Sequence, residues 1–241
     1  MEIQTAWDRQ KMARIIGALF LVSYAGVFVG ATLTERVLGQ PDFLLNAYPD
    51  RAELWIGVLV ELLNDVAIVG IAVLFFPFFR KYGTGLALGY IGLRILEATF
   101  LIIFKLGSLS YIGLSQSAIE AGASGAVAYE RLGELVASVQ DATAQLGTIF
   151  LMLGAVILYY LLLRSELVPR FIPIWGLLAI AALIIPTALG TPDLTQEFEP
   201  AALLFFPIVF NELFLAGWLL VKGFNPERLE VQREEPELAH A

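Results

Sequence analysis

The stretch that decides the fold is Leu54-Trp-Ile-Gly-Val-Leu-Val-Glu61-Leu-Leu-Asn-Asp65-Val-Ala-Ile-Val-Gly-Ile-Ala-Val-Leu-Phe-Phe-Pro-Phe-Phe79. A helix rises about 1.5 Å per residue, so roughly 20 apolar residues cross the hydrocarbon of a bilayer. This run is long enough, and it carries two acids that a lipid-facing helix would not tolerate. It therefore reads as a membrane helix with one face turned toward protein.

Five further segments share its character: Ile15–Thr34, Tyr82–Phe104, Ala142–Leu163, Phe171–Gly190 and Ala201–Val221. The 241 residues are 58% hydrophobic with a mean hydropathy of +0.76, against about 45–50% apolar in soluble domains. The first segment is longer than the roughly 7–15-residue core of a signal peptide and has no small-x-small cleavage site after it, so it reads as a retained span. The expectation is an all-α integral membrane protein, a bundle of six transmembrane helices over residues 1–224 with a polar, acidic cytoplasmic tail over 225–241.

Lysine and arginine set the orientation. Arg9, Lys11, Arg14, Arg80, Lys81, Arg164, Arg170, Lys222, Arg228 and Arg233 fall at one set of ends. The other ends hold Arg36, Arg51 and Arg131, with Lys105 at a boundary, and Thr191–Pro200 has none. This predicts both termini inside. Tyr48, Trp55 and Tyr111 sit as interfacial anchors at the outer surface, and Phe79, Tyr82, Trp175 and Trp218 at the inner one.

Ser115–Asp141 is the longest outer connection. Ala121-Gly-Ala-Ser-Gly125 reads as a turn, and Leu132, Leu135, Val136 and Val139 follow at helical spacing. They predict an amphipathic helix that lies on the surface or leads straight into the fourth span. Gly26-x-x-x-Gly30 and Gly85-x-x-x-Gly89 are close-packing motifs, read chiefly as helix contacts inside the monomer. A homo-oligomer stays open.

The chain has no cysteine, and its one histidine is His240. Disulfides, thiol chemistry and His-based metal or acid–base sites in the membrane are excluded. No cofactor is implied. The net charge of −8 lies mostly in external loops and the tail, and no basic patch suggests nucleic acid. The partners expected are the lipid bilayer and a small solute or cation.

The informative residues are Glu61, Asp65, Arg94, Glu97 and Glu212, each costing roughly 2.5–3.5 kcal/mol at the bilayer centre. Glu61 and Asp65 are four apart and share a face. Tyr90, Arg94, Glu97, Lys105 and Ser108 form one polar stripe, and Asp141, Gln145 and Thr148 another. Counting residues puts Glu61, Glu97 and Gln145 in the outer half of the membrane and Asp65, Arg94 and Glu212 near its middle. Together they would bound an acidic pocket open to the outside. Arg94 is expected to pair with Asp65 or Glu61. The surplus carboxylates must take up a proton or a cation.

Ala13-Arg-Ile-Ile-Gly-Ala-Leu-Phe, Glu61-Leu-Leu-Asn-Asp65, Arg94-Ile-Leu-Glu-Ala98, the run Leu161–Gly176 (LLLRSELVPRFIPIWG) and Asn211–Asn225 (NELFLAGWLLVKGFN) resemble the domain-of-unknown-function 4386 family of multi-pass membrane proteins. The resemblance implies the topology and a bacterial or archaeal cell membrane, and no activity. Three functions stay open: binding or transport of a small solute or cation, a structural or signalling component with a buried ion-pair cluster, and a carboxylate- or metal-dependent lipid enzyme. Enzymatic activity is the least favoured of these.

Overall fold

A computed structural model describes residues 2–122, 126–188 and 202–227. The turn expected at 123–125, the external loop expected at 191–200 and most of the tail lie outside them. Among the described residues all regular structure is helical. The order is α1 (Glu2–Leu38), α2 (Phe43–Asn46), α3 (Arg51–Phe79), α4 (Thr84–Ala121), α5 (Ala126–Ser165), α6 (Phe171–Ala188), a 3-10 turn (Ala202–Phe205) and α7 (Phe206–Val221). The chain is a multi-pass membrane protein.

Among the described residues, five helices are long and apolar enough to cross a membrane: α1, α3, α4, α5 and the segment Leu203–Val221 that contains α7. The sixth expected span, α6, is also apolar but has 18 residues, about 27 Å of helix. Length alone therefore supports five crossings and leaves α6 at the margin. The amphipathic helix expected between the third and fourth spans is no separate element. α4 continues to Ala121 and α5 begins at Ala126, so the segment reads straight into the fourth span. The reason is local. After Phe104 come Gly107, Ser108, Ser110, Gly113, Ser115 and Ser117, which suggest a loop by composition. A serine that bonds back into its own helix, as Ser110 Oγ does to the Leu106 carbonyl at 2.7 Å, leaves the helix intact.

The chain divides into two compact units. The first comprises residues 1–21, 69–94 and 150–241. Its core holds Phe20, Phe75, Phe79, Tyr90, Leu158, Tyr159, Leu162, Leu215 and Phe224. Gly17 on α1 lets α7 approach, because a Cβ there would lie 2.8 Å from the Ala216 carbonyl oxygen. The end of α7 is tied down twice. The Gln10 amide donates to the Phe224 carbonyl at 2.8 Å and accepts from the Phe224 N–H at 3.0 Å, and the Asn225 N–H donates to the Leu167 carbonyl at 2.8 Å. Gly223 sits just before these ties at φ +71°, a left-handed position that favours glycine after a helix.

The second unit comprises residues 22–68 and 95–149. Here α1 and α3 pack backbone to backbone through Gly26, Gly30 and Gly57. A Cβ on Gly30 would lie 2.8 Å from the Gly57 carbonyl oxygen and 2.8 Å from the Glu61 nitrogen. Gly26-x-x-x-Gly30 is thus used inside the chain. Gly85-x-x-x-Gly89 makes no comparable contact: nothing lies within 4 Å of a Cβ on Gly85. A small apolar cluster of Val37, Ala47 and Tyr111, with Phe43 and Leu44, closes the end that carries α2.

Candidate functional site

Each unit holds its own set of buried charges. In the second unit the centre is Lys105, 5% exposed on α4. Its Nζ lies 3.1 Å from Asp65 Oδ2, donates to Asp65 Oδ1 at 3.2 Å, and lies 3.7 Å from Glu61 Oε2. It also donates to the Leu101 carbonyl at 3.4 Å. One ammonium serves two carboxylates. Thr34 Oγ1 on α1 donates to Glu61 Oε1 at 3.0 Å. Asn64 Nδ2 donates to Asp65 Oδ1 at 3.3 Å, and its Oδ1 accepts from Ser23 Oγ. The acids sit on α3 four residues apart, so one helix face presents both, and the close α1–α3 approach at Gly30 brings Thr34 within reach.

Next to this set, α4 and α5 share a second polar contact. Gln140 Nε2 donates to Ser108 Oγ and to the Phe104 carbonyl, each at 3.0 Å. Gly107 opposite it has no side chain to block the approach: a Cβ there would lie 2.5 Å from Gln140 Cγ. Thr143, one turn on, is buried as well.

In the first unit Arg94 Nη2 lies 3.9 Å from Glu212 Oε1 on α7, and the guanidinium carbon lies 5.5 Å from the centre of the Tyr90 ring. Gly154 on α5 leaves room for it, with Arg94 Nε 3.6 Å from the position of an added Cβ. The neighbouring Asn211 is fully buried and donates from Nδ2 to the Ile172 carbonyl of α6 at 2.9 Å, so the Asn211-Glu212 pair fastens α7 to two other helices.

The polar stripe expected on α4 is one buried face: Tyr90, Arg94, Glu97, Lys105 and Ser108 are all at most 5% exposed. The partner assignment differs from expectation. Arg94 pairs with Glu212, and the acids of α3 take Lys105. The cause is the lean of helical side chains toward the helix N-terminus. Equal rises counted from the Phe79–Thr84 turn put Asp65 level with Ala98 and Glu61 level with Ile102. Lys105 reaches one turn back to that level, as its bond to the Leu101 carbonyl records, whereas Arg94 reaches back to Tyr90. Lys105, the residue just past the expected third span, lies within α4 and is buried.

The α5 stripe also differs. Gln145 is exposed, and the inward polar residues are Gln140 and Thr143. The signal was present in Gln140-x-x-Thr143-x-x-x-Gly147, a 3,4 spacing whose last member is small enough to face another helix. Among the described residues no group of three or more His, Asp and Glu side chains is placed to hold a metal ion. The Glu61–Asp65 site offers two carboxylates, a hydroxyl and an amide.

No curated protein and no solved structure matches the chain. The family described as Domain of unknown function (DUF4386) matches residues 15–223, most of the length. With α2 to α7 and most of α1 inside that range, the chain belongs to the DUF4386 family.

Proposed function

We propose that this protein binds a small cation, either a proton or a monovalent ion, at Glu61, Asp65 and Lys105, as part of a solute-binding or transport function in the cell membrane of a bacterium or archaeon. The carrying observation is that two buried carboxylates share one ammonium. Two negative charges against one positive charge leave a surplus in a medium of low dielectric, where an uncompensated charge costs several kcal/mol. One more positive charge removes the surplus. A lysine ammonium is a compact point charge on a flexible stem, so it can swing aside while an incoming cation takes its place between the acids. The Thr34 hydroxyl and the Asn64 amide add oxygen atoms suited to a hard cation. Glu61 is the point of entry, with 14% of its side chain exposed against 2% for Asp65.

The orientation that goes with this reading has both termini inside and the Glu61 end outward. It is supported by the distribution of charge. Arg14, Arg80, Lys81, Arg164, Arg170 and Lys222 all fall in the first unit, while the second holds Arg36, Arg51 and Arg131 among exposed acids.

The thermal stability of purified protein, titrated with sodium, potassium or calcium chloride between about pH 5 and 8, tests the site. A ligand at about a hundred times its dissociation constant adds about 2.7 kcal/mol, and that gain should vanish in Glu61→Gln and Asp65→Asn. A parent no more responsive to cation or pH than both variants would sink the proposal. One observation favours a second reading: Arg94 pairs with Glu212, an opposite charge, across two helices. A bundle whose charges only fix helix register would show that unresponsive behaviour.

A further inference from the structure

We propose that the first unit holds the phosphate of an anionic phospholipid at the end of α7, in a cavity of about 330 Å³ walled by Leu167 and Pro169 of the α5–α6 connection and by Trp218, Lys222 and Asn225. That volume is at the small end of the range for small-molecule sites and suits a polar headgroup. The walls are tied together. The Asn225 N–H donates to the Leu167 carbonyl at 2.8 Å, and Gln10 both donates to and accepts from the Phe224 backbone. Leu167 and Phe224, both lining residues, are at most 1% exposed and belong to the core of the unit.

The lining has donors to spare. Trp218 Nε1, Lys222 Nζ and the Asn225 amide nitrogen make no hydrogen bond among the described residues, and the Asn225 side chain uses only its oxygen, which accepts from the Glu227 N–H at 3.2 Å. No lining residue carries a carboxylate. Of the acids close in sequence, Glu166 is held by Arg170 and Glu227 lies outside the lining. A cation and two neutral N–H donors without an anion call for a negatively charged group with several acceptor oxygens, which a phosphate is. The helix dipoles leave that demand in place: the negative end of α7 is at the cavity, but the positive end of α6 begins at Phe171, two residues after Pro169.

The surroundings select a lipid over a soluble phosphate. Lys222 is the first residue after the candidate span Leu203–Val221, so its ammonium comes where hydrocarbon gives way to headgroups. Tryptophan belongs at the same depth. The Trp218 ring lies 6.5 Å from that of Phe171 and 6.5 Å from that of Phe214, one turn deeper on α7. Phe171 and Phe214 are 51% and 44% exposed. They lay an apolar track from the cavity into the bilayer, which an acyl chain covers and a soluble ester leaves bare. A choline headgroup would bring a second cation beside Lys222, so the favoured lipid carries net negative charge.

The test is a thermal melt of the full chain in detergent, titrated with phosphatidylglycerol, phosphatidylcholine or soluble glycerol phosphate. Phosphatidylglycerol should raise the melting temperature at concentrations well below those at which phosphatidylcholine does, and glycerol phosphate should have little effect. Lys222→Ala, at an exposed position, should weaken the phosphatidylglycerol response by about five- to tenfold while melting like the parent in phosphatidylcholine. Trp218→Phe keeps the ring and removes the N–H, and should weaken it by about two- to fivefold. Arg164→Ala, an exposed cation outside the lining, should respond like the parent. Equal responses to the two lipids, an equal loss in Arg164→Ala and Lys222→Ala, or a response to glycerol phosphate as strong as that to phosphatidylglycerol would overturn the proposal.

Discussion

Replacing Lys105 by Met leaves Asp65 and Glu61 without their shared cation. The ammonium stands 3.1 Å from one carboxylate and 3.7 Å from the other. At an effective dielectric near 20, each contact contributes roughly 4–5 kcal/mol of Coulomb energy, most of which offsets the desolvation of the charges themselves. What the substitution exposes is the desolvation cost with nothing to set against it, about 3–5 kcal/mol for a broken buried pair. Methionine keeps the bulk of the lysine stem, so little of the loss comes from a cavity. For a chain of this size each kcal/mol corresponds to roughly 2–4 °C, giving a fall of about 6–20 °C in the melting temperature of the purified protein. Lys105→Met with Asp65→Leu removes two of the three charges and should recover part of the loss, since the more exposed Glu61 alone is then left without the ammonium. Methylammonium added to Lys105→Met should restore part of the stability and have no effect on the double variant, because only the single variant keeps two acids facing an emptied cation position. A melting temperature for Lys105→Met within about 2 °C of the parent, or a double variant no more stable than the single one, would refute the assignment of Lys105 as the counter-ion.

Two further outcomes follow from the same geometry. Arg94→Met should destabilise by about 3–5 kcal/mol, and the rescuing second change is Glu212→Leu on α7; rescue by Asp65→Leu instead would place the arginine with α3. Gly30→Ala should cost about 1–3 kcal/mol in a denaturant or thermal melt, because its Cβ meets α3 backbone that cannot turn aside, while Gly85→Ala, with open space around it, should be neutral or slightly stabilising.

Much of the fold was legible because a bilayer leaves few choices. Backbone polar groups with no water nearby must be satisfied within the helix, so an apolar run of crossing length can hardly be anything else. The ends of those helices were less legible, and for a different reason. Beyond the hydrocarbon the same helix continues in small and polar residues, and Gly107, Ser108, Ser110 and Gly113 look like a loop when read by composition. α4 and α5 are 38 and 40 residues long, about 57 and 60 Å, roughly twice the hydrocarbon thickness. Their outer halves are held by tertiary contacts such as Gln140 to Ser108 and Tyr111 to Gly133, which no local propensity announces.

The buried face of α4 was legible from its period, but the identity of each partner was not, and the difference turns on direction rather than position. Treating a side chain as a point at its own Cα puts Arg94 nearest the level of Asp65, with Lys105 too far along. Letting each long side chain lean one turn toward its helix N-terminus moves Lys105 onto the level of Glu61 and Arg94 away from it. The same correction changes the charge balance. With Lys105 counted among the buried charges, Glu61, Asp65, Glu97 and Glu212 are set against two cations instead of one, and Arg94 pairs with Glu212. The uncompensated charge is then confined to the second unit, where Glu61 and Asp65 divide one ammonium between them. The turn of α3 that presents two acids to that one ammonium is where a cation would be bound.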